Sequence, residues 1–149
     1  MRKFFSLSEH AQRYALPLLV VFGVAAVVRF GLLFFFSQYD PTLFFDGDSW
    51  GFLQPALNLL SGNGFSHAIE APYQPASFRT PGYPVFLALH YLVFSSFFPA
   101  LITQVVLSLG VGYLMLKIAD DFFSVRAGFL AATLFLFMPF SLLIPLQYT

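Results

Sequence analysis

The chain contains no cysteine and one tryptophan, and Asp, Glu, Lys and Arg together make up only 9% of its 149 residues. Without cysteine there is neither a disulfide framework nor a thiolate metal site. A soluble domain carries about 25% charged residues, so this chain cannot cover a water-facing surface of its size. Its formal net charge is zero, which argues against electrostatic binding of nucleic acid. No run of Lys or Arg forms a polybasic patch for anionic lipid. What is abundant is apolar: 58% of residues are hydrophobic, 22 are Phe, and the mean hydropathy is +0.78. Bulky Phe suits a surface turned to lipid.

These features predict an all-α polytopic membrane protein, read as a single membrane domain over 1–149. A spanning helix needs roughly 20 apolar residues. Four stretches meet or approach that length, at about 16–37, 83–98, 100–118 and 126–146. The second and third arise by dividing one apolar run at Pro99, because proline cannot continue a helix. Pro139 and Pro145 predict a kinked fourth span. Arg2 and Lys3 precede the first span as in a signal peptide. Its apolar core is longer than a signal core of about 7–15 residues, and no small-x-small cleavage site follows, so it reads as an uncleaved anchor.

Orientation follows the Lys and Arg residues that flank the spans. Arg2, Lys3 and Arg13 precede the first span, whereas the segment from Ser37 to Pro81 holds only Arg79. The N-terminus is therefore expected in the cytoplasm, and the 38–82 loop outside the cytoplasmic (inner) membrane. Four spans would place the turn from Lys117 to Arg126 outside as well, against the same rule; one bent helix in place of the second and third spans would remove that conflict. Arg29 is the one ionised group inside a span. It is read either as snorkelling or paired inside the bundle, or as a contact to an anionic lipid-linked ligand. A channel or transporter would line its spans with polar groups, and only Arg29, His90 and Gln104 qualify.

The outer loop carries the chemistry, with Asp40, Asp46, Asp48, His67, Glu70 and Arg79. Trp50, Leu53, Leu57 and Leu60 recur at helical spacing and predict a short helix over Ser49–Ser61, closed by Gly62. It would lie in the membrane interface with Trp50 at headgroup depth. Pro55 allows the alternative that the helix starts near Gln54. Either way Asp48 stands where a carboxylate can cap free amides. The Asp46-Gly47-Asp48 triplet also reads as a pair that holds a divalent cation, or in which repulsion readies one acid as a base. Arg79-Thr80-Pro81-Gly82-Tyr83-Pro84 opens the next helix, with prolines suited to a first turn. Arg79 there reads as an interfacial anchor or as a fork of donors for phosphate.

Taken together, Asp48-(x)3-Phe52-(x)3-Ala56, the run Leu59-Leu60-Ser61-Gly62-Asn63-Gly64-Phe65-Ser66, and Arg79-Thr80-Pro81-Gly82-Tyr83-Pro84-Val85-Phe86-Leu87-Ala88-Leu89 resemble the N-terminal region of bacterial family 39 glycosyltransferases. These are relatives of the dolichyl-phosphate-mannose protein mannosyltransferases and of the aminoarabinose transferases that modify lipid A. Arg126-Ala127 and the helix ending at Pro139 also fit that family. The resemblance implies the C-type membrane glycosyltransferase fold and transfer of a sugar from a polyprenyl-phosphate carrier to an extracytoplasmic lipid, glycan or protein. It places the general base at Asp48, with Asp46 as its neighbouring alternative. It puts Arg79 on the donor phosphate, with Glu70, His67 and Tyr83 as further substrate contacts. Some family members use a divalent cation and others do not; here Asp46 and Asp48 would hold it. Two departures stand out. Phe52 occupies a position where the family often has Tyr, and family members have many more spans. The chain is therefore expected to be an N-terminal portion, inactive in isolation. The competing expectation is a non-catalytic membrane subunit or assembly factor that packs through small residues such as Gly110 and Gly112.

Overall fold

The computed structural model describes residues 14–148, and all regular structure among them is helical. Arg2, Lys3 and Arg13, on which the orientation rests, lie outside the described residues. In chain order the helices are α1 (Ala15–Tyr39), a 3-10 turn (Pro41–Phe44), α2 (Ser49–Leu60), α3 (Gly82–Phe94), α4 (Phe98–Phe122), α5 (Val125–Phe137), α6 (Pro139–Leu143) and a closing 3-10 turn (Ile144–Leu146). Two of them, α1 and α4, are long and apolar enough to cross a membrane. A third crossing is available if α5 and the 139–146 segment, bent by 64°, count as one broken span.

The division at Pro99 is not where the chain breaks. α3 stops at Ser95, which adopts a left-handed φ of 53°. Ser96 Oγ then accepts the amide of Phe98 at 3.2 Å and starts α4. Pro99 sits in the first turn of α4, where its missing N–H leaves no bond unmade. α3 consequently has 13 residues. That is about 20 Å at 1.5 Å per residue, against a hydrocarbon core of about 30 Å.

The described residues form two compact units, one of residues 14–32 with 105–143 and one of 33–104 with 144–148. The first unit is organised by close approach of α4 and α5. A Cβ on Gly128 would lie 2.7 Å from the Leu116 carbonyl, and one on Gly112 would lie 2.9 Å from a Leu136 methyl. Glycine at both points lets the backbones approach, as small residues do in membrane bundles. Gly110 meets nothing within 4 Å, so of the pair named from sequence only Gly112 serves this purpose. Leu18, Leu116 and Ala132 form the core cluster, with Tyr14, Phe22 and Phe129 packed around it. Ser124 caps α5 by accepting the Ala127 amide at 3.2 Å. Arg29 is fully buried in this unit and donates to backbone carbonyls. It takes the interior of the two placements expected for it and presents no face to a lipid-linked ligand.

The second unit holds α2 against α3. α2 begins at Ser49 rather than near Gln54, and Pro55 lies inside it. It ends in a Schellman turn: the Gly62 amide bonds Leu59 O and the Asn63 amide bonds Asn58 O at 2.9 Å, with Gly62 at φ 75°. Buried Asn58 then donates to Ser66 O at 2.7 Å and Ala68 O at 2.9 Å, tying the following loop to the helix. Between α3 and the start of α4, His90 contacts Phe86 O through Nδ1 and Thr103 Oγ1 through Nε2, so it is a half-buried histidine with both ring nitrogens bonded.

Candidate functional site

Asp48 occupies the position before the first turn of α2, yet its side chain caps no amide. Its neighbour does the local work instead. Asp46 Oδ1 accepts the Asp48 amide and the Ser49 hydroxyl, each at 3.0 Å, and Ser49 Oγ accepts the Asp46 amide at 2.8 Å. Ser49 is fully buried by this closed turn. Asp46 therefore shapes the start of the helix, and Asp48 is left free to reach outward.

It reaches Arg79. The Arg79 Nη2 donates to Asp48 Oδ1 at 2.5 Å, across 31 residues of chain. Three positions at the start of α2, the residue before it included, build this contact. Asp48, Gly51 and Phe52 stand at i, i+3 and i+4 and so share one face of the helix. The guanidinium lies along that face, with its carbon 4.7 Å from the Phe52 ring centre and 5.3 Å from that of Phe78. These are cation–π distances. A Cβ at position 51 would approach Arg79 Nε to 3.3 Å; glycine there makes room for the guanidinium. Arg79 Nε is buried without a hydrogen-bond partner among the described residues. The Asp48 side chain is 63% exposed and that of Arg79 23%. The site is thus an accessible carboxylate held against a guanidinium that lies near two rings.

None of the remaining candidates bonds to this pair among the described residues. Tyr83 packs edge-on to Phe52 at 5.2 Å and stacks on Phe86, and its hydroxyl donates to Gln104 Oε1 at 3.1 Å. Gln104 Nε2 donates in turn to Gln147 O at 3.3 Å. Tyr83 thus supports the Phe52 ring rather than presenting its hydroxyl outward. His67 lies beside Phe65, its Nε2 buried and unpartnered among the described residues, and no bond joins it to the Asp48–Arg79 pair. Glu70 is exposed on the loop and forms no ion pair among the described residues.

The acids at 46 and 48 are engaged in different contacts. Among the described residues no group of three or more His, Asp or Glu side chains converges. Asp46 accepts two bonds from its own turn, and Asp48 is paired with a cation.

No protein-family model, curated protein or solved structure matches this chain. What its site can do is read from the side chains themselves. Sequence reasoning missed Gly51 and the second role of Phe52. Their spacing from Asp48 was visible, but its meaning depends on Arg79 arriving from the far end of the loop. An aromatic shelf escaped notice as well. Exposed Trp50 stacks on Phe45, which packs against Tyr148 at 5.2 Å. Burial pushes the Tyr148 hydroxyl up to about 12, so that group stays protonated and is no base at neutral pH.

Proposed function

We propose that the chain is a membrane glycosyltransferase module of the family 39 type, acting at the outer face of the cytoplasmic membrane on a polyprenyl-phosphate sugar. The observation that carries this reading is the Asp48–Arg79 pair. A guanidinium fork binds phosphate oxygens as readily as carboxylate, so the donor's phosphate competes with Asp48 for Arg79. Exchange has two effects at once: it anchors the donor and frees the carboxylate. Asp48 then takes the proton of the acceptor hydroxyl as its oxygen bonds the anomeric carbon. The bond from that carbon to the phosphate oxygen breaks, and the electron pair leaves with the phosphate, whose charge Arg79 holds. Gly51, Phe52 and Tyr83 keep the guanidinium in place.

Three crossings fit this arrangement. α1 leads outward and α4 leads back. α3, too short to cross, begins and ends on the outer side, because Phe98 at the start of α4 packs 5.9 Å from Phe44 in the turn after α1. The broken α5 segment leads outward again. Its first turn meets the start of α1 through Arg126 Nε and the Tyr14 hydroxyl at 3.2 Å. Past its last turn, the Tyr148 amide bonds Phe44 O at 2.9 Å. Lys117 and Arg126 then face the cytoplasm, as positive residues prefer. α2 lies in the outer interface, where Trp50 meets headgroups.

The test is binding of a short polyprenyl phosphate to the chain in lipid nanodiscs. Arg79→Gln is expected to weaken binding about tenfold or more, the loss of one charge-assisted contact. Asp48→Asn, which removes the competitor, is expected to bind as tightly as the parent or tighter; its loss of sugar transfer is to be read in a longer protein that contains this chain. If Asp48→Asn weakens binding as Arg79→Gln does, the exchange scheme falls. If the parent chain binds no phosphate lipid, the non-catalytic subunit is the better reading.

A further inference from the structure

The fully buried Arg29 lies in α1, a helix apolar enough to span a membrane, and forms no ion pair among the described residues. A guanidinium taken out of water needs acceptors for its donors. It has two, both backbone carbonyls: Ala25 O, one turn back in its own helix, at 3.5 Å, and Ser141 O in α6 at 3.3 Å. The first is at the limit of a hydrogen bond. The second is the informative one. In an α-helix the carbonyl of residue 141 bonds the amide of residue 145. Residue 145 is proline and has no amide. The chain beyond α6 tightens into a 3-10 turn at Ile144–Leu146, and Ser141 O stands at a helix end. Such an end carries partial negative charge and free carbonyls. The break before α6 has its own local cause. Met138 precedes Pro139 and is extended, at φ −62° and ψ 129°, as a residue before proline prefers.

We infer that Arg29 is the replacement donor for the amide that Pro145 lacks, a C-terminal cap delivered from a helix more than a hundred residues earlier. The two residues form a matched pair: the proline opens an acceptor in an apolar setting, and the guanidinium both fills it and finds there the negative potential that makes its own burial tolerable. The function of the pair is conformational. It holds the broken 137–146 segment bent at the one place where lipid offers no substitute donor. The inference stands apart from the sugar-transfer reading and uses none of its residues.

It predicts coupling between two positions with no side-chain hydrogen bond to each other. The readouts are the unfolding equilibrium in detergent and the spin-label distance between cysteines placed at Leu130 and Leu143, which straddle the bend in a chain without native cysteine. Arg29→Met lowers the folding equilibrium constant about tenfold or more, the loss of a charge-assisted hydrogen bond, and broadens the distance distribution. Pro145→Ala restores the amide, so in that background Arg29→Met has a clearly smaller effect on both readouts. If Arg29→Met alone does not fold, recovery of folding in the double variant supports the pairing. Strictly additive effects overturn it, as does a double variant that stays unfolded although Pro145→Ala folds.

Discussion

Replacing Gly51 by alanine sets two effects of similar size against each other. An alanine Cβ at 51 would sit 3.3 Å from Arg79 Nε, 3.5 Å from Nη2 and 3.7 Å from the guanidinium carbon. The neighbour is the end of a flexible side chain, so it yields by a few tenths of an ångström instead of forcing the backbone apart. What is lost is part of an exposed ion pair, about 0.5 kcal/mol, and part of a cation–π contact, about 0.5–1 kcal/mol. What is gained is helix propensity. Alanine is favoured over glycine by about 1 kcal/mol inside a helix, and by less here because position 51 is in the first turn. Gly51→Ala should therefore leave overall stability within about 1 kcal/mol of the parent. It should nonetheless shift the guanidinium off Phe52 and weaken polyprenyl-phosphate binding several-fold. Gly51→Leu, which cannot be accommodated by a small shift, should remove that binding. Trp50, the single tryptophan and the residue next to the substitution, reports by its fluorescence that α2 remains folded. A loss of more than about 2 kcal/mol in Gly51→Ala, or unaltered phosphate binding in Gly51→Leu, would refute the view that this glycine exists to seat Arg79.

Other expectations follow from the same geometry. In the cysteine-free chain, a cysteine at Asn63 should react with an impermeant maleimide applied to intact spheroplasts and one at Ser124 should not; labelling of both would exclude three crossings. Gly128→Ala should destabilise by about 1–3 kcal/mol, as overpacking does, because its Cβ would meet the Leu116 carbonyl at 2.7 Å. Gly112→Ala should cost less, since it meets only the mobile end of Leu136; unfolding in a denaturing detergent distinguishes the two. Tyr148, raised from 10.0 to about 12, keeps its proton in the folded chain after the unfolded chain has lost it. Its contribution is complete below pH 10 and fades as pH rises from about 10 to about 12. Unfolding profiles of the parent and Tyr148→Phe should converge in that window, and parallel profiles would contradict the assignment.

Much of this was legible in the sequence, and the limits have physical causes. Apolar length alone identified α1 and α4 as helices able to cross a membrane. Helical spacing identified α2, and Gly62 marked its end. The proximity of Asp48 and Arg79 was expected only from the family resemblance, which assigns both residues to one site. Pro99 misled because a proline breaks a helix in its middle but is at home in its first turn, and the real stop lay in the left-handed Ser95, a conformation serine gives little notice of. Asp48 looked like a cap. Asp46 and Ser49 close that turn between themselves, a choice between near-equal local hydrogen bonds that spacing cannot resolve. The partner of Arg29 was hidden for a different reason. It is a backbone carbonyl, which carries no sequence signature except the proline four residues later.

Asn58 gives the loop a property that outlasts any one assignment. Its two bonds, to the carbonyls on either side of His67, close a loop of chain onto the last turn of α2, so that stretch and the helix move as one piece. A displacement of α2 at its Asp48 end is expected to carry with it the backbone that bears His67. The imidazole is thereby a built-in pointer, and its nuclear magnetic resonance signal can register events at the carboxylate without a probe being placed there.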